Sequence, residues 1–112
     1  MKQAIVAASE LDTRLIMRKL RNTERVLNNA GVERLLAIEN EKGEALTVAD
    51  IQDQLAGVYP KVMLDGDMAA GAWSCGMVAG LIHDIPTVKA LIVRIMKQAE
   101  ELIKQRLAGL CP

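Results

Sequence analysis

The clearest hydrophobic pattern in the chain is an apolar stripe near its C-terminus. Apolar residues recur there at intervals of three and four positions, which is the spacing of one face of an α-helix. They are Val88, Leu91, Ile92, Ile95, Met96, Ala99, Leu102, Ile103 and Leu107. Thr87 is suited to cap the start of this helix and Gly109 to end it. Because Pro86 cannot continue a preceding helix, residues 82–87 are predicted to form a turn before it.

The middle of the chain shows shorter and weaker patterns. Thr47 is followed three residues later by Asp50, a variant of the capping box, and a helix of about ten residues is predicted from there to a stop at Gly57. Residues 61–67 are predicted to form a short extended piece closed by a turn. Small residues dominate residues 68–82, where a helix would be intrinsically poor. That composition favours close approach by another backbone or by a flat ligand.

The first third of the chain has the least regular pattern. Residues 3–11 are compatible with a helix and residues 15–17 with a short strand, with turn or cap residues between them. A further helix is predicted over residues 22–29, capped at Asn22 or Thr23 and ended by Gly31. The fold class predicted for residues 1–112 is therefore mostly α: one small helical domain with at most one or two short strands.

The amino-acid composition limits the kind of core that the chain can form and the kinds of partner that it can bind. The chain has 112 residues, no Phe, one Trp and one Tyr, so its core must be aliphatic. Lys and Arg total 14, as do Asp and Glu, so no overall charge draws the chain to nucleic acid or to an anionic membrane. The sequence has no signal-peptide pattern and no run of membrane-spanning length. Two widely spaced cysteines without zinc spacing indicate reduced thiols, and we expect a cytoplasmic protein without metal.

Several side chains could carry chemistry, and each has a structural alternative. His83 could act as a general acid or base, but a turn histidine bonded to the backbone is favoured. Cys75 could be a reactive thiol, but a small buried residue is favoured because nothing basic surrounds it. Cys111, beside the terminal Pro112, is expected to be exposed and frayed.

Arginines are concentrated in the first quarter of the chain. On a helix, Arg14, Arg18, Arg21 and Arg25 would line one side and could hold a phosphate. A solvated face paired with Glu10 and Glu24 is the favoured alternative. The glycines at positions 71, 76 and 80 match neither phosphate-binding fingerprint, so their spacing alone supports only close packing.

Two long segments resemble the C-terminal part of the nitronate monooxygenases, formerly called 2-nitropropane dioxygenases, and of related flavin-dependent NADH:quinone reductases. The first is KQAIVAASELDTRLIMRKLRNTERVLNNA, and the second is GDMAAGAWSCGMVAGLIHDIPTVKALI. They are similar to a family pattern of roughly KxAIVxAxExDT, LRNTxRV and GDxxxGxWSxGxxxGLIxDxP. The resemblance runs in order over almost the whole chain, from Lys2 to about Leu110.

The resemblance implies an FMN enzyme with a TIM-barrel flavin domain and a smaller helical substrate domain. It implies that the catalytic histidine and the glycine-rich loops for the FMN phosphate lie upstream of the region matched here. On this basis we expect the chain to correspond to a C-terminal segment that is not catalytically complete, has no catalytic residue of its own and retains no FMN alone. His83 then belongs to the GLIHD turn.

The resemblance also places the WSxG segment close to the flavin. Trp73, Ser74, Cys75 and Gly76 are therefore the expected cofactor-adjacent residues, with Trp73 as a rigid wall of the pocket. The alternative is that Trp73 anchors the core against a glycine-rich helix. Many family members have Gln after the WSxG glycine, whereas this chain has Met77, which favours the quinone-reductase relatives.

A segment cut from a barrel would leave apolar surfaces bare. We therefore expect the chain to associate with itself or with a missing barrel domain, and not with nucleic acid or membrane. Two further hypotheses are a stand-alone helical module for oligomerisation or interaction, and a small ligand-binding protein that uses the glycine-rich groove.

Overall fold

The computed structural model describes residues 1–110 and is mostly helical, with one two-stranded hairpin. The fold class predicted from the sequence, mostly α with at most one or two short strands, is therefore confirmed. The chain runs through α1 (Lys2–Ala7), β1 (Thr13–Ile16), β2 (Glu24–Leu27), α2 (Ala30–Lys42), α3 (Val48–Ile51), α4 (Val58–Pro60) and α5 (Val88–Leu102). Short 3-10 turns cover Glu10–Asp12, Gly43–Ala45, Gln52–Gln54, Met77–Leu81 and Ala108–Leu110, and π-helical turns cover Lys61–Asp65 and Ile103–Leu107. Cys111 lies outside the described residues.

The hairpin is the first departure from the predicted pattern. β1 and β2 pair antiparallel, with Thr13 opposite Leu27 and Ile16 opposite Glu24. The short strand is confirmed, with a shift of boundaries, whereas the helix predicted over residues 22–29 is wrong because that segment forms β2. Main-chain pairing with β1 supplies the backbone partners that a helix would have supplied.

Helix α2 begins where the sequence pattern predicted a stop. The Asn29 side chain caps it, because its Oδ1 accepts the backbone N–H of Gly31 at 2.9 Å and of Val32 at 3.1 Å. Gly31 is therefore the second residue of a helix and not its end. It is glycine because an added Cβ would collide with the backbone of Gly71 and approach the Ala69 carbonyl oxygen to 2.9 Å.

The predicted capping box at Thr47 is confirmed. The Asp50 carboxylate accepts hydrogen bonds from the Thr47 N–H at 2.9 Å and from its hydroxyl at 2.7 Å. The helical segment ends at Gly57 in the left-handed conformation, with φ +69°, also as predicted. The extended piece predicted over residues 61–67 is wrong, since α4 continues directly into the π-helical turn Lys61–Asp65 before a turn at Gly66.

Residues 68–82 form turns and a 3-10 segment, and no α-helix. The predicted close approach of backbone is confirmed there: an added Cβ at Gly71 would collide with the Gln54 carbonyl oxygen, and at Gly80 it would lie 2.8 Å from the Glu10 backbone N. Gly71 also has a φ of +156°, which L side chains rarely adopt.

Two hydrophobic clusters form the core. One packs α2 and α3 against the hairpin and contains Ile16, Met17, Val26, Val32, Leu35, Leu46, Ile51 and Ala72. The other packs α4 and the following turn against the 73–79 segment and contains Leu27, Val58, Val62, Trp73, Cys75 and Ala79. Buried Glu39 links α2 to the hairpin turn, because its Oε1 accepts the Met17 N–H at 2.6 Å.

Helix α5 follows the predicted pattern but lies apart from both clusters. The turn over residues 82–87 and the cap are confirmed, with the Thr87 hydroxyl accepting the Ala90 N–H at 3.2 Å. Helical turns continue through Leu110, so Gly109 does not end them. The radius of gyration is 18.5 Å, well above the about 13 Å typical of a compact domain of this size.

The arginine cluster is not the helical face that the spacing suggested. Arg14 lies on β1, Arg25 on β2, and Arg18 and Arg21 in the turn between the strands. The Arg14 guanidinium donates to the Leu11 carbonyl at 2.9 Å, and that of Arg25 donates to the Thr13 hydroxyl at 2.8 Å. These contacts stabilise the hairpin and the segment that precedes it. The four arginines therefore do not line one helical face that could bind a phosphate.

Candidate functional site

The WSCG segment lies beside β2 as an irregular third strand. The Leu27 N–H donates to the Trp73 carbonyl at 3.3 Å, and the Cys75 N–H donates to the Arg25 carbonyl at 3.1 Å. Between them, Val26 and Ser74 form an antiparallel bridge. Because successive residues of an extended segment point to opposite sides, Trp73 and Cys75 share the inner side and Ser74 shares the outer side with Gly76.

Trp73 is the anchor of this segment. Its side chain is 1% exposed within the second hydrophobic cluster, and its Nε1 donates to the Met68 carbonyl at 3.3 Å. Trp73 is therefore a core residue, which agrees with the alternative that it anchors the core. The segment that packs around it, residues 68–82, is not the glycine-rich helix which that alternative assumed. The ring of Trp73 anchors the inner side of the WSCG segment in the core.

Cys75 is a second anchor and not an activated nucleophile. Its side chain is buried, and burial raises the pKa of its thiol above the ordinary value. A thiol in this setting has little thiolate at neutral pH, which agrees with the structural interpretation of Cys75.

Ser74 belongs to a polar cluster on the outer side of the segment. The Tyr59 hydroxyl accepts the Ser74 N–H at 3.0 Å and donates to Ser74 Oγ at 2.8 Å. Ser74 Oγ in turn donates to the Glu24 carboxylate. These three residues come from α4, the loop and β2, so the fold brings together groups that lie far apart in the sequence.

Sequence reasoning missed Tyr59 and Glu24 as neighbours of the WSCG segment. Tyr59 lies 15 residues before Ser74, and Glu24 lies 50 residues before Ser74. No short-range sequence motif therefore connects the three residues. The one available signal was that Tyr59 is the single tyrosine of a chain with few aromatic residues.

Gly76 is the most open position of the segment. An added Cβ there would meet only Val78, at 3.7 Å from its Cγ1, and the glycine is exposed. Met77 beside it is also exposed. An approaching flat group would therefore meet main chain at Gly76 with little side-chain obstruction.

His83 lies away from this segment, in the exposed turn before α5. Its neighbour Asp84 forms a bidentate ion pair with Arg94, with distances of 2.7 and 3.1 Å. The Arg94 hydrogen bond lowers the pKa of the Asp84 carboxyl below its ordinary value. Asp84 is thus engaged with α5 and is not set to orient His83 as a base.

No profile of a known protein family matches the chain. Its structure is similar to that of FabK from Thermotoga maritima, with a TM-score of 0.75 and 30% sequence identity, over 96% of this chain and 33% of FabK. A methionine-to-alanine variant of the same FabK matches with a TM-score of 0.70 and 26% identity, over 96% of this chain and 30% of the variant. The chain thus spans about a third of the length of the FabK chains that it matches.

These matches define the class of protein: the chain resembles a segment of a TIM-barrel flavin oxidoreductase. More particularly, FabK is an FMN-dependent enoyl-ACP reductase of the nitronate monooxygenase family. The resemblance to that family, which the sequence motifs indicated, is therefore confirmed.

The surroundings of Gly76 can be compared with the two chemically different ends of FMN, its flat ring and its phosphate. The exposed main chain at Gly76, carried on the buried Trp73 and Cys75, is open enough for the edge or face of a flat ring. The Glu24 carboxylate bonded to Ser74 would repel a phosphate at the same place. The chemistry of this segment is thus compatible with a flat ring and unsuited to a phosphate.

Proposed function

We propose that this chain is a segment of an FMN-dependent oxidoreductase of the nitronate monooxygenase type, in which residues 73–76 form one wall of the flavin pocket. The observation that carries the proposal is the alternation in this segment: Trp73 and Cys75 are buried anchors, while Ser74 and Gly76 are exposed on the outer side. The match to about a third of FabK supports the same assignment.

The residues of the wall have different tasks in this proposal. Trp73 fixes the depth of the segment in the core, and the Tyr59–Ser74–Glu24 cluster fixes its rotation. Gly76 then presents main chain where a side chain would hold the ring away. FMN supplies the redox chemistry when it is bound, and the segment contributes only shape and orientation.

We propose further that the chain does not catalyse this reaction by itself. His83 is exposed without a carboxylate to orient it, and the Cys75 thiol is buried with a raised pKa. In this proposal the exposed Met77 would offer the ring an apolar thioether where many nitronate monooxygenases have Gln, which supports a quinone-reducing relative over a nitronate-oxidising one. The free thiol of buried Cys75 is compatible with a cytoplasmic setting. None of the helices within residues 1–110 is long and apolar enough to cross a membrane.

Flavin binding tests the proposal. The purified chain is mixed with FMN alone, and with FMN plus the two-thirds of Thermotoga FabK outside the match, and flavin fluorescence and absorbance are recorded. We expect no FMN retention and no quinone or nitronate turnover by the chain alone. In the mixture, Gly76→Leu should weaken FMN binding.

Gly109→Leu is the matched control, because that glycine also has open space around it and lies at the far end of the chain. Equal FMN affinity for Gly76→Leu and the unchanged chain would contradict the proposal that residues 73–76 line the flavin pocket. Unaided turnover by the 112-residue chain would refute its incompleteness.

A second candidate function is a stand-alone helical interaction module. The bare apolar face of α5 favours it, since residues such as Ile92, Val93 and Met96 are more than half exposed. This candidate predicts stable self-association without flavin, which sedimentation equilibrium would measure directly.

A further inference from the structure

Met77 carries an apolar side chain that covers nothing within the chain. The residue is 51% exposed and belongs to neither of the two hydrophobic clusters. An open groove between α1 and the start of α5 is lined by its neighbours Val78 and Leu81 and not by Met77. On its other side lies Gly76, which is exposed and has no side chain to shield the thioether. The thioether of Met77 is therefore open to solvent at the end of the WSCG segment.

The methionines of the chain divide into packed and exposed side chains. Met17 is 5% exposed in the first cluster, and Met68 packs against the second. Met63 and Met96 are exposed to a similar degree as Met77, but they lie on the turn after α4 and on α5. Met77 is thus the exposed methionine that adjoins the WSCG segment, and the other two exposed methionines are matched references for it.

A thioether that solvent reaches is open to oxidation by peroxides. Its sulfur attacks one oxygen of hydrogen peroxide, so that an S–O bond forms, the O–O bond breaks, and the departing hydroxide takes up a proton and leaves as water. The sulfur loses two electrons and the peroxide gains them. The product, methionine sulfoxide, is polar and chiral, and methionine sulfoxide reductases return it to the thioether at the expense of a dithiol.

The nearby thiol does not compete for the oxidant. Cys75 is two residues from Met77 but is buried, and burial raises the pKa of its thiol. Peroxide reacts with the thiolate, which this setting disfavours. The oxidisable group that this part of the chain offers to solvent is therefore the Met77 sulfur.

We propose that Met77 is a reversible oxidation site at the edge of the proposed flavin wall. Hydrogen peroxide converts it to the sulfoxide without disturbing the fold, because its side chain packs against neither cluster. The surface beside the open main chain of Gly76 then changes from apolar to polar. The consequence for the cofactor rests on the proposed function: a flat ring that meets residue 77 must displace water from the sulfoxide, so the oxidised chain binds FMN more weakly.

Oxidation of the chain alone forms the first test. Two variants are made in a Cys111→Ser background, which removes the second thiol of the sequence. Met63→Leu with Met96→Leu leaves Met77 as the one exposed methionine among residues 1–110, and Met77→Leu is its counterpart. Both are treated with hydrogen peroxide, and fragment-ion mass spectrometry follows each sulfur. We expect Met77 to be oxidised roughly tenfold or more faster than buried Met17, and equal rates would overturn the proposal.

Stability and repair of the oxidised chain form the second test. Urea unfolding, followed by Trp73 fluorescence, compares the Met63→Leu, Met96→Leu variant before and after oxidation. We expect an unchanged unfolding midpoint, and full repair of the folded chain by the two methionine sulfoxide reductases, one for each epimer, with dithiothreitol. A lowered midpoint, or a sulfoxide that the reductases reach only after unfolding, would show that Met77 belongs to the packed structure and would overturn the proposal.

FMN binding tests the consequence for the pocket. The variants are mixed with FMN and with the two-thirds of Thermotoga FabK outside the match. Oxidation of the Met63→Leu, Met96→Leu variant should weaken FMN binding by roughly tenfold, because a polar group loses its water without a new partner. The reductases should restore the affinity, and Met77→Leu should bind FMN equally well before and after peroxide. Undiminished affinity after complete oxidation of Met77 would contradict the inference.

The two proposals fail separately. If Gly76→Leu weakens FMN binding and oxidation of Met77 does not, the flavin wall is supported and the role of Met77 at the pocket is refuted. If neither change affects FMN binding while Met77 is oxidised and repaired in the folded chain, the flavin wall is refuted and the oxidation site stands without it.

Discussion

Tyr59 and Ser74 are joined by a reciprocal pair of hydrogen bonds. The Tyr59 hydroxyl accepts from the Ser74 backbone at 3.0 Å and donates to the Ser74 hydroxyl at 2.8 Å. The pair ties the turn of α4 to the segment that β2 carries, and so fixes the outer side of the proposed flavin wall. Because both residues are exposed, water can replace part of what the pair provides.

Tyr59→Phe tests the worth of this pair. The ring stays and the hydroxyl goes, so we expect the free energy of unfolding to fall by about 0.5–1.5 kcal/mol. Urea unfolding, followed by the fluorescence of the buried Trp73, measures the change. Glu24→Gln, which keeps an acceptor for the Ser74 hydroxyl, should have a smaller effect. An unchanged unfolding midpoint for Tyr59→Phe would show that the cluster does not hold the segment.

Gly31→Ala tests the close contact between α2 and the loop at Gly71. The added Cβ would meet the Gly71 backbone and the Ala69 carbonyl, so one of the two segments must shift. We expect a loss of about 1–3 kcal/mol, as for other overpacked sites. Gly76→Ala is the control, because its Cβ would meet nothing closer than 3.7 Å. Thermal melts of both variants should differ clearly, and equal melting temperatures would contradict the contact.

The elements that the sequence predicted correctly are those that local chemistry determines. Helix α5 follows from its own apolar period and from Thr87, and the turn before α3 follows from Thr47 and Asp50 three residues apart. Each of these caps depends on a hydrogen bond between residues only three positions apart in the sequence. The motif resemblance added what no local pattern contains, namely the relation to a flavin oxidoreductase.

The misassigned elements depend on contacts that are distant in sequence. The segment Glu24–Leu27 is a strand because it pairs with β1 on one side and with residues 73–75 on the other. Glu39 fixes the hairpin turn from 22 residues away. The role of Asn29 was missed for the same reason, since its amide also reaches the Gly71 carbonyl 42 residues on. The flavin wall itself stays a prediction.

Asn29→Ala should be among the most destabilising polar substitutions. The side chain caps α2 through Oδ1, and its Nδ2 links the end of β2 to the Gly71 loop by donating to the carbonyls of Leu27 at 3.2 Å and Gly71 at 3.0 Å. Loss of an N-cap alone costs about 0.5–2 kcal/mol, and we expect the upper part of that range or more. Thr87→Ala, which removes the cap of the bare α5, should leave the global unfolding midpoint nearly unchanged. Similar losses for both caps would mean that α5 shares the cooperative core.

The Asp84–Arg94 ion pair makes a prediction about pH. The hydrogen bond from Arg94 lowers the pKa of Asp84 in the folded chain, below the ordinary value of 3.8 that the unfolded chain retains. The pair therefore stabilises the start of α5 fully above that value, and its contribution is lost as the pH falls through the lower, folded pKa. Carboxyl NMR of Asp84 measures the titration, and Arg94→Gln should return the pKa toward its ordinary value. An Asp84 carboxyl that titrates normally with Arg94 present would show that the pair does not persist in solution.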